Sequence, residues 1–314
     1  MLQFDVTVVG ELNLDLILYG LPDELEPEKE LLADSLALTL GSSSAIFAHN
    51  LAVIGNRVGF ISRIGTDPLG KIALDRLESG GVDVSCVRRV EGPTKSGLTV
   101  IVTGTASRRI LTYPGAMFEM DYGDLDLDYL RSGRHFHLSS FYLHRALRPR
   151  VAELFEQMKR AGLGTSLDTN DDPEDRWQGL DDVLPLVDVL FVNEREAGKL
   201  SGEDNTEAAV EKLAGKVKTV AIKLGAKGGR VRQGQQEWTQ AGYRVNAVDP
   251  VGAGDSFDAG FLHQYVRGAD LKTCLAYGNL AGAFSTTRPG GTEAFRERPK
   301  WQDFLQQHGN EAAA

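Results

Sequence analysis

Four short apolar runs set the rhythm of the chain's second half: HFHLSSF from residue 135, LGTSLDT from 163, VDVLFVN from 187 and TVAIKLG from 219. Each is of strand length, and its apolar residues run on without strict alternation. That is the pattern of strands buried on both faces. Residues 149–161, 194–200, 257–266 and 271–284 carry helical patterning between and after them. A strand that pairs in parallel with the next needs a long crossover, usually a helix. The alternation therefore predicts an α/β fold: a doubly wound, mostly parallel sheet flanked by helices. FDVTVVG, residues 4–10, adds a further buried strand at the start.

Two stretches break this rhythm. Residues 12–40 and 92–114 read as half-exposed strands and a hairpin with its turn at 104–108. They predict a small inserted β-sheet serving as a lid on a single domain spanning residues 1–314. The chain has 314 residues and a formal net charge of -10. That charge argues against nucleic acid or an anionic membrane as its main partner. No apolar run approaches the length of a membrane span. MLQFDVTVVG has no basic leader and reads as a core strand, not a signal peptide. Cys86 and Cys274 sit in no paired motif and read as free thiols. A cytoplasmic location is expected.

The densest chemistry lies in VDPVGAGDSFDAGFL, residues 248–262. Gly252, Ala253 and Gly254 are small and stand just before a helix. They let backbone N–H groups approach an anion closely, and the helix end adds partial positive charge. Asp255 follows at the first turn, where a carboxylate could accept a proton from an alcohol. Read locally, the same residues are a glycine turn and a helix cap.

The whole run resembles the C-terminal signature of the ribokinase-like (PfkB) sugar kinases. The resemblance implies that Asp255 is the catalytic base and that residues 252–254 form the anion hole for the transferring phosphoryl group. Further motifs follow in the family's order. Asn193 and Glu196 resemble its NxxE motif, which organises Mg²⁺ and phosphates largely through water; locally they also read as a capping box. Lys223, Gly225 and Gly228 resemble its KxGxxG segment beside the nucleotide. Asn279 falls where relatives line the adenine pocket. Asp249, with carbonyls of residues 287–291, falls where relatives hold a monovalent cation such as K⁺.

At the other end, Asn13 and Asp15 leave the first strand two residues apart, so they project from one face. Their side chains suit a polyol, and the family's substrate-binding Asp falls on Asp15. Relatives open the next helix with Gly-Gly-x-x-x-Asn. Here Gly41 is present, Ser42 replaces the second Gly and Ile46 replaces the Asn. Asp168, Thr169 and Asn170 resemble the family's DxN element, with Asp172 where an Arg is usual. Arg108 and Arg109 in the hairpin read as solvated turn residues, or as contacts to an acidic sugar. His135 and His137 alternate on a strand without a third metal ligand in view, so they read as hydrogen-bonded or pocket-lining.

The resemblance implies an ATP-dependent kinase using Mg²⁺, with K⁺ as a further candidate, acting on a hydroxyl of a sugar or sugar derivative. Asn13, Asp15, Gly41, Ser42 and Asn170 would meet the sugar. A homodimer through the lid is expected. The alternatives are a nucleoside kinase of the same fold, with Tyr19, Tyr113 and Phe118 as stacking candidates, and a non-catalytic sugar or nucleotide sensor. A dehydrogenase is disfavoured because GxGxxG does not follow the first strand.

Overall fold

The computed structural model describes residues 2–104 and 107–312. Its strands are β1 (Phe4–Val9), β2 (Asn13–Tyr19), β3 (Ser35–Leu40), β4 (Val58–Ile61), β5 (Arg63–Gly65), β6 (Arg88–Val90), β7 (Gly97–Thr103), β8 (Arg108–Tyr113), β9 (Gly133–Ser139), β10 (Gly164–Asp168), β11 (Val189–Asn193), β12 (Thr219–Lys223), β13 (Gly229–Gln233) and β14 (Gln236–Gln240). Its helices are α1 (Ser43–Val53), α2 (Pro68–Ser79), α3 (Leu127–Arg131), α4 (Val151–Arg160), α5 (Glu194–Ser201), α6 (Thr206–Ala214), α7 (Ala253–Tyr265), α8 (Leu271–Ser285) and α9 (Arg298–Ala312).

The main sheet has the order β14-β13-β12-β11-β10-β9-β1-β4. From β12 to β4 every neighbour is parallel; β13 and β14 close one edge as an antiparallel hairpin. Alternate side chains feed two cores. Val189 and Phe191 pack with α1, α7 and α8, whereas Leu190 and Val192 pack with α4, α5 and α6. This period of two is what a strand covered on both faces requires. No described helix is long and apolar enough to cross a membrane.

β3-β2-β7-β8 form a second, four-stranded sheet. Its register puts Asp15, Thr99 and Thr112 side by side on one face. The other face carries Leu16, Leu38, Val100 and Leu111. The expected turn at 104–108 includes Thr105 and Ala106, which lie outside the described residues. The sequence reading passed over α6, α9 and the β13–β14 hairpin. Asn205, whose side chain accepts from the Glu207 and Ala208 N–H groups, was an available start signal for α6.

Helix α7 begins at Ala253, four residues earlier than its apolar pattern suggests. Gly252 adopts φ 73°, and a side chain there would sit 2.4 Å from the Gly291 Cα. Glycine thus turns the chain straight into the helix and lets the 290 loop lie against it. Helices α7 and α8 also approach closely: a Cβ at Gly260 would lie 2.3 Å from the Tyr277 carbonyl and 2.7 Å from the Ala281 Cβ. Gly260→Val should lower stability by about 1–3 kcal/mol or more through overpacking, measured by chemical denaturation. An unchanged midpoint would show that the helices can separate freely.

Candidate active site

The carboxyl ends of the parallel strands and the starts of α1, α5 and α7 meet on one side of the main sheet. Lys223, the last residue of β12, lies beneath the start of α7. Its Nζ donates to Asp168 Oδ2 at 2.7 Å and to Asp258 Oδ2 at 3.3 Å. Asp168 ends β10, and Asp258 follows Asp255 by three residues on one face of α7. Asp168, Asp255 and Asp258 each bring a carboxylate oxygen within 4.8 Å of the others. Burial opposes the Asp168 charge, but Lys223 and hydrogen bonds hold its carboxyl below the usual range. Burial pushes Asp258 well above that range, with Asp168 adding to the rise and Lys223 opposing it. Burial also opposes the Lys223 charge, and Asp168 and Asp258 more than restore it. The sequence placed Lys223 beside the nucleotide. In the structure its charge is taken up by these two carboxyls, and it lies against Gly254, where a Cβ would stand at contact distance, 3.4 Å from Nζ.

Asp255 occupies the third position of α7 and is buried. Burial first, and the nearby Asp168 next, push its carboxyl up to about 7; Lys223 and a hydrogen bond from Ser43 oppose the rise. The first N–H groups of a helix have no intrahelical acceptor. Here the Ala253 N–H donates to Pro250 O at 3.2 Å, ahead of the helix. Asp249 clamps the turn. It accepts from Val251 N at 2.9 Å, Gly290 N at 2.9 Å and the Tyr19 hydroxyl at 2.7 Å.

Asn193 and Glu196 form the capping box of α5, with each side chain reaching the other's backbone N–H at 2.9 Å. Burial and then Asp168 push Glu196 up to about 7. Gly225 and Gly228 have φ 60° and 102°; a Cβ at Gly228 would meet Gln240 O at 2.1 Å. Asn279 Nδ2 donates to the same carbonyl at 3.3 Å. Gly228 and Asn279 thus converge on the end of β14.

The opposite end is built from β2, α1 and the turns after β9 and β10. Asn13 Nδ2 donates to Thr99 Oγ1 at 3.0 Å, and Ser42 Oγ donates to Asn13 Oδ1 at 2.8 Å. A Cβ at Gly41 would lie 2.1 Å from Asp15 Oδ1, so any side chain there would displace that carboxyl. Asp15 is buried. Burial first, and Asp255 next, push it up to about 7, with Asp249 and Glu11 adding and Thr99 opposing.

Each serine at the start of α1 reaches a different group: Ser42 reaches Asn13, Ser43 reaches Asp255 and Ser44 donates to Glu11 Oε2 at 2.6 Å. Glu11 Oε1 accepts from Ser140 Oγ at 2.7 Å, and Ser140 Oγ accepts from Asn170 Nδ2 at 3.1 Å. Ser42, Ser140 and Asn170 all have positive φ, at 67°, 55° and 52°. Such strain tends to collect at functional sites. Ile46 turns away from this end and packs against Gly252 and Gly291. One turn on, Asn50 Nδ2 supplies the polar tie, donating to Ser256 Oγ and to Gly291 O, both at 2.9 Å.

Sequence reasoning missed Glu11 and Asp258; each is a carboxylate inside an otherwise apolar or small-residue segment, which was the available signal. Arg108 and Arg109 point to opposite faces of the second sheet, and only Arg108 shares the Asp15 face, four residues along β8 from Thr112. His135 and His137 are buried and joined through Ser166 Oγ, at 2.8 Å from each ring, with His137 also 2.8 Å from Ser139 Oγ. Burial lowers them to about 4 and about 3, so they are neutral polar links in the core.

The profile of the pfkB family carbohydrate kinases matches residues 3–298. An ATP-dependent ribose-1-phosphate kinase from Halopiger xanaduensis is 32% identical over 255 residues, covering 81% of this chain and 82% of the relative. A 2-dehydro-3-deoxygluconokinase from Bacillus subtilis is 29% identical over 280 residues, covering 85% and 86%. Among solved structures, an E. coli protein assigned as a ribokinase II, in complex with ATP and Mg²⁺, superimposes with a TM-score of 0.83 at 24% identity, covering 97% of this chain and 99% of that one. These matches establish the family and the fold, and this chain is a carbohydrate kinase of the pfkB family.

Proposed function

We propose that the protein transfers the γ-phosphoryl group of ATP to a hydroxyl of a sugar or sugar derivative, with Asp255 as general base. The observation that carries this reading is a buried carboxyl at the start of α7, within 4.8 Å of the Asp168 and Asp258 carboxyls and raised to about 7. Asp255 takes the hydroxyl proton as the oxygen attacks the γ-phosphorus. The bond from that phosphorus to the bridging oxygen breaks, and ADP leaves with the electron pair. The N–H groups at the start of α7, entered through Gly252, Ala253 and Gly254, stabilise the charge on the equatorial oxygens. Asn13, Asp15, Gly41, Ser42 and Asn170 position the sugar. Asn193, Gly225, Gly228 and Asn279 border the nucleotide, and Lys223 acts from beneath through Asp168 and Asp258.

The carboxylate of Glu196 accepts from Asn193 N at 2.9 Å and Asn193 Nδ2 at 2.6 Å and keeps lone pairs for water. That suits a Mg²⁺ ion, which holds most of its own waters; bound there, the ion would neutralise charge on the β- and γ-phosphates. We assign an accessory monovalent cation such as K⁺ to Asp249 and the carbonyls of residues 287–291, sharing the carboxylate with its three donors.

The chain acts as one domain, residues 1–314, and the four-stranded sheet is its lid. Closure would exclude water, which would otherwise take the phosphoryl group. The outer face of this sheet leaves Leu36, Leu111 and Tyr113 at 66%, 59% and 54% exposure. An apolar face of this kind supports a homodimer through the lid. The two free cysteines support a reducing, cytoplasmic compartment.

Asp255→Asn should lower kcat/KM by at least ~100-fold in a coupled ADP assay; normal turnover would remove Asp255 from the base role. The same variant has a distinct stability signature. Unfolded Asp titrates near 3.8 and folded Asp255 near 7, so the native state binds the proton more tightly and ionisation above pH 7 opposes folding. The variant should melt at a higher temperature than wild type at pH 8, with the gap closing as pH falls from 7 towards 4. For wild type, kcat/KM should plateau above about pH 7 and fall one decade per unit below it. A profile flat down to pH 5 contradicts a base with this pKa. Leu111→Asp should convert the dimer to a monomer in light scattering, whereas a monomeric wild type would refute the lid interface.

A further inference from the structure

We infer that Glu11 is a positioning residue: through the single proton of Ser140 it turns the Asn170 amide so that Nδ2 faces the serine and Oδ1 is left to accept from a substrate hydroxyl. This deepens the kinase reading and rests on its placing of Asn170 at the sugar. Glu11 acts here through Ser140 and Asn170, not by its own contact with substrate.

The polarity runs one way because each member has a fixed count of protons. Glu11 is 2% exposed, and a carboxylate only accepts. Its Oε1 accepts from Ser140 Oγ at 2.7 Å and from Ser44 N at 3.4 Å, and its Oε2 accepts from Ser44 Oγ at 2.6 Å. A serine hydroxyl carries one proton. Ser140 gives that proton to Glu11, so towards Asn170 the same oxygen only accepts. Asn170 Nδ2 answers it at 3.1 Å. An amide turned the other way would set two acceptors, Oδ1 and Ser140 Oγ, against each other. Asn170 N donates to Asp168 Oδ1 at 3.0 Å. Oδ1 is the atom left over, and none of the described residues donates to it.

The backbone brings the members together. Ser140 N donates to Asp168 O at 2.9 Å, so the turns holding Ser140 and Asn170 are both pinned to the end of β10. Both residues are held in the left-handed region, at φ 55° and 52°. Strain of this kind persists where the surrounding contacts over-determine it. His144, fully buried, stands on the other side of Glu11. Its Nε2 lies 3.6 Å from Glu11 Oε2 and 3.0 Å from Ser139 O. At these distances the Ser139 carbonyl is its acceptor and Glu11 is not. Burial lowers the His144 pKa against the pull of Glu11, so the ring is neutral. It leaves both serine protons to Glu11.

Exchanging the polarity tests the relay. Asn170→Asp alone sets a new carboxylate against a serine whose proton is already given to Glu11. Adding Glu11→Gln supplies an amide donor to Ser140 and releases the serine proton to the new carboxylate, whose second oxygen still accepts from substrate. The expected result is a change of sign. Glu11→Gln lowers the melting temperature of wild type and raises that of Asn170→Asp, by about 2 °C or more. Glu11→Met removes the same charge without supplying a donor. Equal rescue by Glu11→Met, or no rescue by Glu11→Gln, overturns the relay. Glu11 also raises the pKa of Asp15 and Asp255, so the activity of Glu11→Gln alone is not the readout. Kinetics are read with Mg·ATP on D-ribose, D-fructose and 2-dehydro-3-deoxygluconate, keeping the acceptor that turns over fastest. Ser140→Ala should raise KM for that acceptor roughly 5- to 10-fold, the scale of one hydrogen bond, with KM for ATP within about twofold. General destabilisation would not split the two. An unchanged acceptor KM, or equal changes in both, counts against the positioning role. If Asn170→Asp does not fold, the Ser140→Ala split decides alone. If none of the three acceptors is phosphorylated, the melting cycle still decides the relay, and the kinase reading alone fails.

Discussion

One buried ammonium organises the catalytic half of this molecule. Lys223 joins the carboxyl ends of β10 and β12 to α7 through Asp168 and Asp258. A lone charge at this depth would be strongly unfavourable, and removing one partner of a buried pair typically costs about 3–5 kcal/mol. The arrangement holds together only when all three groups are present. It ties the start of α7 to the sheet at a set height and angle, and everything that depends on that helix end inherits the placement: the Gly252 turn, the outward N–H groups and Asp255. The Asp249 clamp completes it by drawing the 290 loop and Tyr19 of the second sheet onto the same turn.

The second organising fact is crowding of acids. Asp15, Glu196 and Asp255 are all pushed up to about 7, each chiefly by burial and next by a neighbouring carboxylate. A fold selected for stability alone would not collect them. Function and stability pull apart here, as they commonly do at active sites. The repulsion is tolerated because the main sheet and its two cores are well packed, and a base near neutrality is what proton transfer from an alcohol requires.

Much of this was legible beforehand. The strand–helix rhythm of residues 134–284 led to the parallel sheet, because apolar period and element length are local properties of the chain. The run around Asp255 was readable for a similar reason: a glycine turn, a helix start and a carboxylate lie within a few residues. The start of α7 was misjudged because its first turn is small and polar, so the apolar pattern begins one turn late. Ser42 and Ile46 looked like losses in a linear reading. In three dimensions Ile46 packs under Gly252 and Gly291, and Asn50 supplies the amide one turn further on.

By itself the sequence determined the fold class, the pfkB resemblance and the identity of the candidate base, since each is carried by short-range patterns. Only the tertiary structure decided how the charges are shared. Lys223 and Asp258 are 35 residues apart, and Glu11 and Ser140 are 129 apart. Whether a lysine faces a nucleotide or a carboxylate, and whether a helix start is open to a ligand or filled by a glutamate, depends on which distant groups share its burial. Desolvation and pairing arise when the chain closes on itself, and no spacing along it encodes them.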